Sequence, residues 1–112
     1  MVVEFTLAGQ RFTALNGGPV YAFTPAVSFI VGCTTQEEVD HYWDKLSEGG
    51  DPEAKQCGWL KDRFGLSWQI VPAQLVEYMS DPDAEKAGRT MQAMLKIKKL
   101  DIAELKAAHD GA

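Results

Sequence analysis

The chain has 112 residues, of which 46% are hydrophobic and 24% charged, and its formal net charge is -5; this is the composition of one ordinary globular domain. The negative charge argues against a phosphate-tracking surface, since nucleic-acid-binding proteins usually present a basic face. No apolar run approaches the roughly 20 residues of a membrane-spanning helix, and the first ten residues lack the basic flank and apolar core of a signal peptide. The sequence therefore predicts a cytoplasmic protein with no nucleic-acid or membrane partner.

The first predicted element is a β-hairpin. Residues 2–7 alternate between two faces with the period of a strand, and Ala8-Gly9 then offers a turn before a second strand over 10–15. Asn16-Gly17-Gly18-Pro19 ends the hairpin, and the stretch through Pro25 is predicted to be a loop. The Asn16 amide is a candidate ligand contact, although an Asn before two glycines more often satisfies turn geometry.

A strand and a helix follow. Residues 26–33 form a nearly continuous apolar run, which predicts a central strand covered on both faces. Two capping boxes overlap over residues 34–38, and the apolar spacing after them predicts an amphipathic helix that Gly49-Gly50 ends. Residues 51–55 are predicted to be a loop, with room for a short strand.

The stretch from Gln56 to Pro72, QCGWLKDRFGLSWQIVP, is predicted to be a second hairpin around which the rest of the chain is organised. Gly65 can adopt the positive φ that a short hairpin loop often needs, and Asp62 can cap the turn. Pro72 ends the second strand because it cannot donate to a sheet ladder.

The remaining residues are predicted to be helical. A short helix follows Pro72, and a longer one begins with Asp81 as N-cap and runs to about Lys98, where lysines complement the helix dipole. Asp101 caps a last helix, and His109 is expected near its frayed terminus.

The two cysteines, Cys33 and Cys57, are too few for a disulfide framework and lack CxxC spacing, so we expect reduced thiols. Cys57 is a candidate reactive or ligand-contacting thiol, but a small buried hydrophobe is the commoner role of cysteine.

Four stretches together resemble the PhnB-like, or 3-demethylubiquinone-9 3-methyltransferase-like, family: EFTLAGQRFTALNGGP, AVSFIVGCTTQEEVDHYWDKLSEGG, QCGWLKDRFGLSWQIVP and SDPDAEKAGRTMQAMLKIKKLDIAEL. That family belongs to the vicinal-oxygen-chelate superfamily of glyoxalase I, bleomycin-resistance proteins and extradiol dioxygenases. The resemblance covers essentially the whole chain and is most specific over residues 58–72. It implies an α+β fold of paired βαβββ modules whose strands curl around a pocket, often with a divalent metal inside.

The resemblance also implies a division of the chain. Residues 1–16 would be the last two strands of a truncated first module, residues 26–72 the second module, and residues 73–112 a helical tail. The rest of the first module has no counterpart, so the strand over 2–7 would present an open edge. We expect an intertwined homodimer to cover that edge; a chain trimmed at Met1 is the alternative reason for the missing segment.

Metal-using members of the superfamily carry a histidine early in the first strand of a module and a glutamate in its last strand. The resemblance puts Gln69 at the glutamate position, and Ala26, or Ser28 after a register slip, at the histidine position. None of these is a good metal ligand, so we expect no metal and no cofactor. No glycine-rich loop between a strand and a helix is present to cradle a methyl donor, so the family's methyltransferase label is not supported as a mechanism.

The candidate site is therefore a concave sheet whose aromatic and uncharged polar groups suit a neutral or cationic organic molecule. The candidate ligand-binding residues are Asn16, Ser28, Cys57, Trp59, Trp68 and Gln69. Both tryptophans have a competing interpretation as core residues, and no catalytic residue is assigned.

Three functional hypotheses stay open. The first is a metal-free homodimeric module that binds a small organic molecule. The second is a metal-dependent lyase or dioxygenase that a partner chain completes, and the third is an interaction module whose pocket is filled by its own side chains.

Overall fold

The computed structural model describes residues 1–111. It has an N-terminal hairpin that forms its own two-stranded sheet, a three-stranded sheet covered by one helix, and a helical C-terminal region. The elements are β1 (Val2–Leu7), β2 (Gln10–Leu15), β3 (Ser28–Cys33), α1 (Gln36–Ser47), a 3-10 turn (Pro52–Ala54), β4 (Trp59–Lys61), β5 (Ser67–Pro72), α2 (Ala73–Met79), α3 (Ala84–Met94) and α4 (Ile102–Asp110). The predicted α+β class is confirmed.

The N-terminal hairpin is confirmed with the predicted bounds. β1 and β2 pair antiparallel around Ala8-Gly9, whose φ values of 50° and 80° are both positive, as a two-residue hairpin turn requires. Phe12 links the hairpin to the rest of the chain: its ring stacks on Phe5 at 5.6 Å and contacts Phe29 of β3 at 5.9 Å between centroids.

The larger sheet has the order β3-β5-β4, with β3 parallel and β4 antiparallel to β5. The prediction of a central strand over 26–33 is therefore wrong in two respects. The strand begins at Ser28 and lies at the sheet edge, and Ile30 is 66% exposed because α1 covers only the other face.

The helix after β3 uses the second of the two overlapping capping boxes. The hydroxyl of Thr35 accepts a hydrogen bond from the Glu38 backbone N–H at 3.2 Å, and the helix ends before Gly49, as predicted. Its apolar side packs on the sheet to form the first core, whose buried residues are Cys33, Val39, Trp43, Leu60 and Ile70.

The second hairpin is also confirmed, with its turn capped as expected. Asp62 Oδ1 accepts from the backbone N–H groups of Phe64 and Leu66 at 2.9 and 3.0 Å, and Gly65 has a φ of 87°. Residues 51–55 contain a 3-10 turn rather than a strand, because the Asp51 carboxylate accepts from the Glu53 N–H at 2.9 Å and bends the chain.

The start and end of α3 differ from the prediction. Asp83, not Asp81, is the N-cap, because Asp83 Oδ1 accepts from the N–H groups of Glu85 and Lys86. The helix ends at Met94, so the lysines expected in its last turn lie beyond it.

The short α2 and the Asp101 cap of α4 are confirmed, and the C-terminal helices enclose a second core of Leu75, Leu100 and Leu105. Within residues 1–111, no helix combines the length and the apolar character needed to cross a membrane.

Candidate functional site

One face of the three-stranded sheet carries the candidate site. α1 packs on the other face, and the strand register decides which side chains lie on the face that α1 leaves uncovered. Cross-strand partners place two rows of residues on the uncovered face, which we call the open face: Ser28, Ser67 and Lys61 in one row, and Ile30, Gln69 and Trp59 in the next.

Two predicted site residues meet on the open face. The Gln69 side-chain amide donates a hydrogen bond from Nε2 to Ser28 Oγ at 2.9 Å, and both residues are half-buried. The bond fixes the amide so that Oε1 of Gln69 is left to accept from another molecule.

A cavity of about 340 Å³ opens at the end of the sheet where Lys61 pairs with Ser67. It is open to solvent on one side, and the loop before β3, the 3-10 turn and the two strands of the hairpin border it, with lining residues Pro25, Asp51, Glu53, Ala54, Trp59, Leu60, Lys61 and Ser67. Its volume is at the small end of the roughly 300–1,000 Å³ typical of small-molecule sites.

The cavity offers one aromatic wall, one hydroxyl and three charges. Trp59 supplies the wall, and the residue that carries the hydroxyl, Ser67, is only 2% exposed. The cavity has two carboxylates, Asp51 and Glu53, and one ammonium, Lys61. This local charge favours a neutral or cationic ligand over an anionic one.

Trp68 lies on the opposite face of the sheet. Its ring packs against the first core, meets Phe29 edge-on at 5.3 Å, and donates from Nε1 to Asp62 Oδ2 at 2.9 Å. These contacts fit the competing interpretation of Trp68 as a core residue, and the ring does not face the cavity.

Asn16 and Cys57 also lie away from the cavity. Asn16 directly follows β2, and its backbone N–H donates to the Met1 carbonyl at 2.9 Å. Cys57 has a φ of 54° in a tight turn with Gly58, and its N–H donates to the Ile97 carbonyl at 2.9 Å, which turns it towards the helical region.

The other cysteine is a core residue. Cys33 is buried, and desolvation followed by the negative charge of Glu38 raises the pKa of its thiol, so that it stays protonated near neutral pH. A protonated, enclosed thiol is a poor nucleophile.

The structure thus brings together three of the six predicted residues, Ser28, Trp59 and Gln69. Two residues that the prediction missed, Lys61 and Ser67, follow from the same alternation, each two positions along its strand from a predicted residue. Strand alternation does not predict Asp51 and Glu53 as site residues, because they reach the cavity from a separate 3-10 turn.

The donor set does not fit the kind of metal site that the superfamily resemblance implies. Among residues 1–111, no three His, Cys, Asp or Glu side chains approach closely enough to hold an ion. At the positions where a ligand would be expected, the neutral groups of Ser28 and Gln69 are hydrogen-bonded to each other.

Comparison with known proteins identifies a family and a relative of known structure. A family model described as 3-demethylubiquinone-9 3-methyltransferase matches residues 1–71, which include every residue of the open face. None of the curated proteins matches this chain. A solved structure of the PhnB protein from Bacillus cereus, provisionally described as a 3-demethylubiquinone-9 3-methyltransferase, is similar with 37% sequence identity and a TM-score of 0.55.

That similarity covers 65% of this chain and 64% of the Bacillus cereus chain. The matched region is therefore less than two-thirds of the relative's length.

Proposed function

The chain belongs to the 3-demethylubiquinone-9 3-methyltransferase family, with its PhnB-like, vicinal-oxygen-chelate fold, and from that premise we propose that it is a homodimeric module that binds a small neutral or cationic organic molecule without a metal ion. The observation that carries the proposal is the cavity beside Trp59 at the end of the open face. The proposed function does not include methyl transfer. A nucleotide-like methyl donor would need a glycine-rich loop between a strand and a helix, but the junction between β3 and α1 is Thr34-Thr35, whose hydroxyls bond to Glu38.

The ligand would lie against the indole of Trp59. An aromatic or alkylammonium group stacked there gains roughly 1 kcal/mol per ring face engaged. The carboxylates of Asp51 and Glu53 attract its positive end, and the Ser67 hydroxyl offers one directed hydrogen bond.

The Ser28–Gln69 pair supports a role without metal. Zinc, iron and nickel prefer imidazole, carboxylate or thiolate ligands, and hard divalent cations prefer carboxylates. A hydroxyl and an amide that already satisfy each other at 2.9 Å offer neither charge nor imidazole.

The N-terminal hairpin supports the homodimer. The radius of gyration is 16.2 Å, against about 13 Å for a compact domain of this length, and the extents are 53 × 30 × 23 Å. The apolar side chains of Val3, Phe5 and Leu7 are 42–49% exposed. A second copy that covers them would also pair the open strand edges, so that residues 1–16 complete a module shared between two chains.

The cytoplasm would suit this role, because Cys33 and Cys57 are both free thiols and a reducing compartment keeps them so.

The proposal is tested by a thermal-shift screen of neutral and cationic aromatic or alkylammonium compounds against protein treated with a chelator. A compound held at a hundred times its Kd should add about 2.7 kcal/mol to the free energy of unfolding. Trp59→Ala should lose this stabilisation, whereas Phe64→Ala, which removes an exposed ring from the nearby turn, should keep it. Stabilisation that needs an added divalent metal, or that survives Trp59→Ala, would overturn the proposal.

A further inference from the structure

The imidazole of His109, in the last turn of α4, is held by two carboxylates. Nε2 lies 2.7 Å from Asp81 Oδ2, Nδ1 lies 3.0 Å from Asp110 Oδ1, and the side chain is 13% exposed. The ring also stacks on Tyr78, with centroids 4.7 Å apart and planes 28° from parallel. The predicted frayed terminus is therefore wrong: His109 joins α4 to α2 and to the turn that precedes α3.

This geometry requires a protonated ring. A carboxylate oxygen only accepts, and a neutral imidazole carries a single N–H, so a neutral ring would leave one nitrogen lone pair facing a carboxylate oxygen. We propose that protonated His109 is a pH-dependent latch, which holds the C-terminal end of α4 against the α2–α3 turn and releases it when the ring loses its proton.

The surrounding charges favour the protonated ring. Hydrogen bonds to Asp110 and then Asp81 raise the pKa of His109 above its ordinary value, while Lys106 first and His109 second lower the pKa of Asp110 to about 2. Lys86 adds positive charge near Asp81 from α3.

Two further side chains lie at this end of α4. Tyr78 of α2 stacks on the imidazole. Arg89 of α3 donates to the carbonyls of Ala108 and His109 at 3.0 and 2.9 Å, so it binds the backbone of the last turn and not the ring.

The other end of α4 is fastened by a neutral group. Gln36 at the start of α1 accepts from the Ile102 N–H at 2.8 Å and donates to the Leu100 carbonyl at 3.2 Å. Loss of the latch would therefore leave the last turn of α4 with the Arg89 bonds to its carbonyls but without the bond to Asp81, while its first residue stays bound to Gln36. A nine-residue helix is too short to persist in water without such contacts, so the amides of its C-terminal end would exchange with solvent more often.

The direction of the effect follows from the raised pKa. A histidine whose pKa is higher in the folded state stabilises that state fully below its ordinary value of 6.5, and the contribution is lost as the pH rises through the raised value. The carboxylates have lowered pKa values and stay charged throughout this range.

The test is a pH series on the full chain, from about pH 5.5 to 8.5, in which NMR follows both histidine rings and hydrogen exchange follows the α4 amides after correction for intrinsic rates. His41, exposed on α1, is the control ring. His109 should titrate above the ordinary histidine value of 6.5, and the protection of residues 105–110 should fall through the His109 midpoint while that of Ile102 does not. The fall should be about tenfold for each pH unit that separates the His109 midpoint from the ordinary value.

Three variants sharpen the test. Asp81→Asn removes the charge but keeps an oxygen for the Asp83 N–H that Asp81 now accepts at 2.8 Å, so it should lower the His109 midpoint. His109→Gln should make α4 protection independent of pH, and His41→Gln should leave the wild-type profile unchanged. A His109 midpoint at or below the ordinary value of 6.5, or α4 protection that stays constant as His109 titrates, would overturn the proposal in the wild-type protein alone.

Discussion

The amide of Gln69 donates a hydrogen bond to the hydroxyl of Ser28 at 2.9 Å, joining β5 to β3 across the open face. The superfamily resemblance assigns a metal ligand to the position of Gln69, and another to Ala26 or, after a register slip, to Ser28. In this chain Ser28 and Gln69 are neutral and satisfy each other, so the face retains polarity without the charge that would bind a cation.

The first prediction restores the missing donors. The double variant Ser28→His with Gln69→Glu puts an imidazole and a carboxylate side by side, and Zn²⁺ prefers both. Zinc should raise the Tm of the double variant by several degrees and leave the wild type unchanged in a thermal melt. Each single variant is a matched control that should show less than the pair, and equal stabilisation of the wild type by zinc would contradict the assignment.

The second prediction concerns Trp68. Its ring packs on the first core and on Phe29, so Trp68→Ala should reduce the free energy of unfolding by about 3 kcal/mol or more. Trp68→Phe keeps the ring contact but loses the bond to Asp62 and should cost about 1 kcal/mol. Urea denaturation measures both, and near-normal stability of Trp68→Ala combined with lost ligand binding would place the ring in the pocket wall instead.

The third prediction compares two glycines with nearly equal φ values, 84° at Gly58 and 87° at Gly65. A Cβ at Gly58 would lie 2.9 Å from Leu100 Cδ1 and 3.3 Å from the Ile70 carbonyl oxygen, whereas one at Gly65 has no neighbour within 4 Å. Gly65→Ala should therefore cost about 1 kcal/mol for backbone strain alone.

Gly58→Ala should cost a further 1–3 kcal/mol, roughly, because it also forces Leu100 to move. Chemical denaturation of the two variants measures the difference. Equal losses would mean that the Cys57-Gly58 turn does not pack on the second core as tightly as the structure indicates.

The fourth prediction addresses the homodimer. Light scattering should give the mass of two chains for the wild type. Phe5→Lys places a charge on the apolar face of the hairpin and should give single chains, while Thr6→Lys, on the opposite face of the same strand, should leave the dimer intact. A wild-type protein with the mass of one chain, or the same response from both variants, would remove the dimer from the proposal.

Local signals in the sequence predicted most of the secondary structure. The two hairpins, the Thr35 and Asp101 caps and the glycine that ends α1 each depend on residues within a few positions of one another, and all are confirmed. The α3 start was misplaced because Asp81 and Asp83 both suit an N-cap. In the structure Asp83 accepts from the Glu85 and Lys86 N–H groups, whereas Asp81 accepts from the Asp83 N–H and contacts His109.

The sheet and the site needed information that is not local. The apolar run over 26–33 matches a strand covered on both faces, but the order β3-β5-β4 puts it at the edge and leaves Ile30 exposed. Alternation puts Trp68 and Gln69 on opposite faces but does not say which face is uncovered; the pairing of Trp59 with Gln69 comes from the strand register. Asp51 and Glu53 reach the cavity through a 3-10 turn that strand periodicity does not describe.

The central claim is that the cavity beside Trp59 binds an organic molecule without metal. Two-dimensional ¹H–¹⁵N NMR of chelator-treated protein tests it most directly, because the three tryptophans give separate indole signals and a stabilising compound from the screen can be titrated against all of them. The indole of Trp59 and the side-chain amide of Gln69 should shift together, while the indoles of Trp43 and Trp68 remain in place. A shift of the Trp68 indole signal without a shift of the Trp59 signal would contradict the claim. So would shifts that appear only after a divalent metal is added.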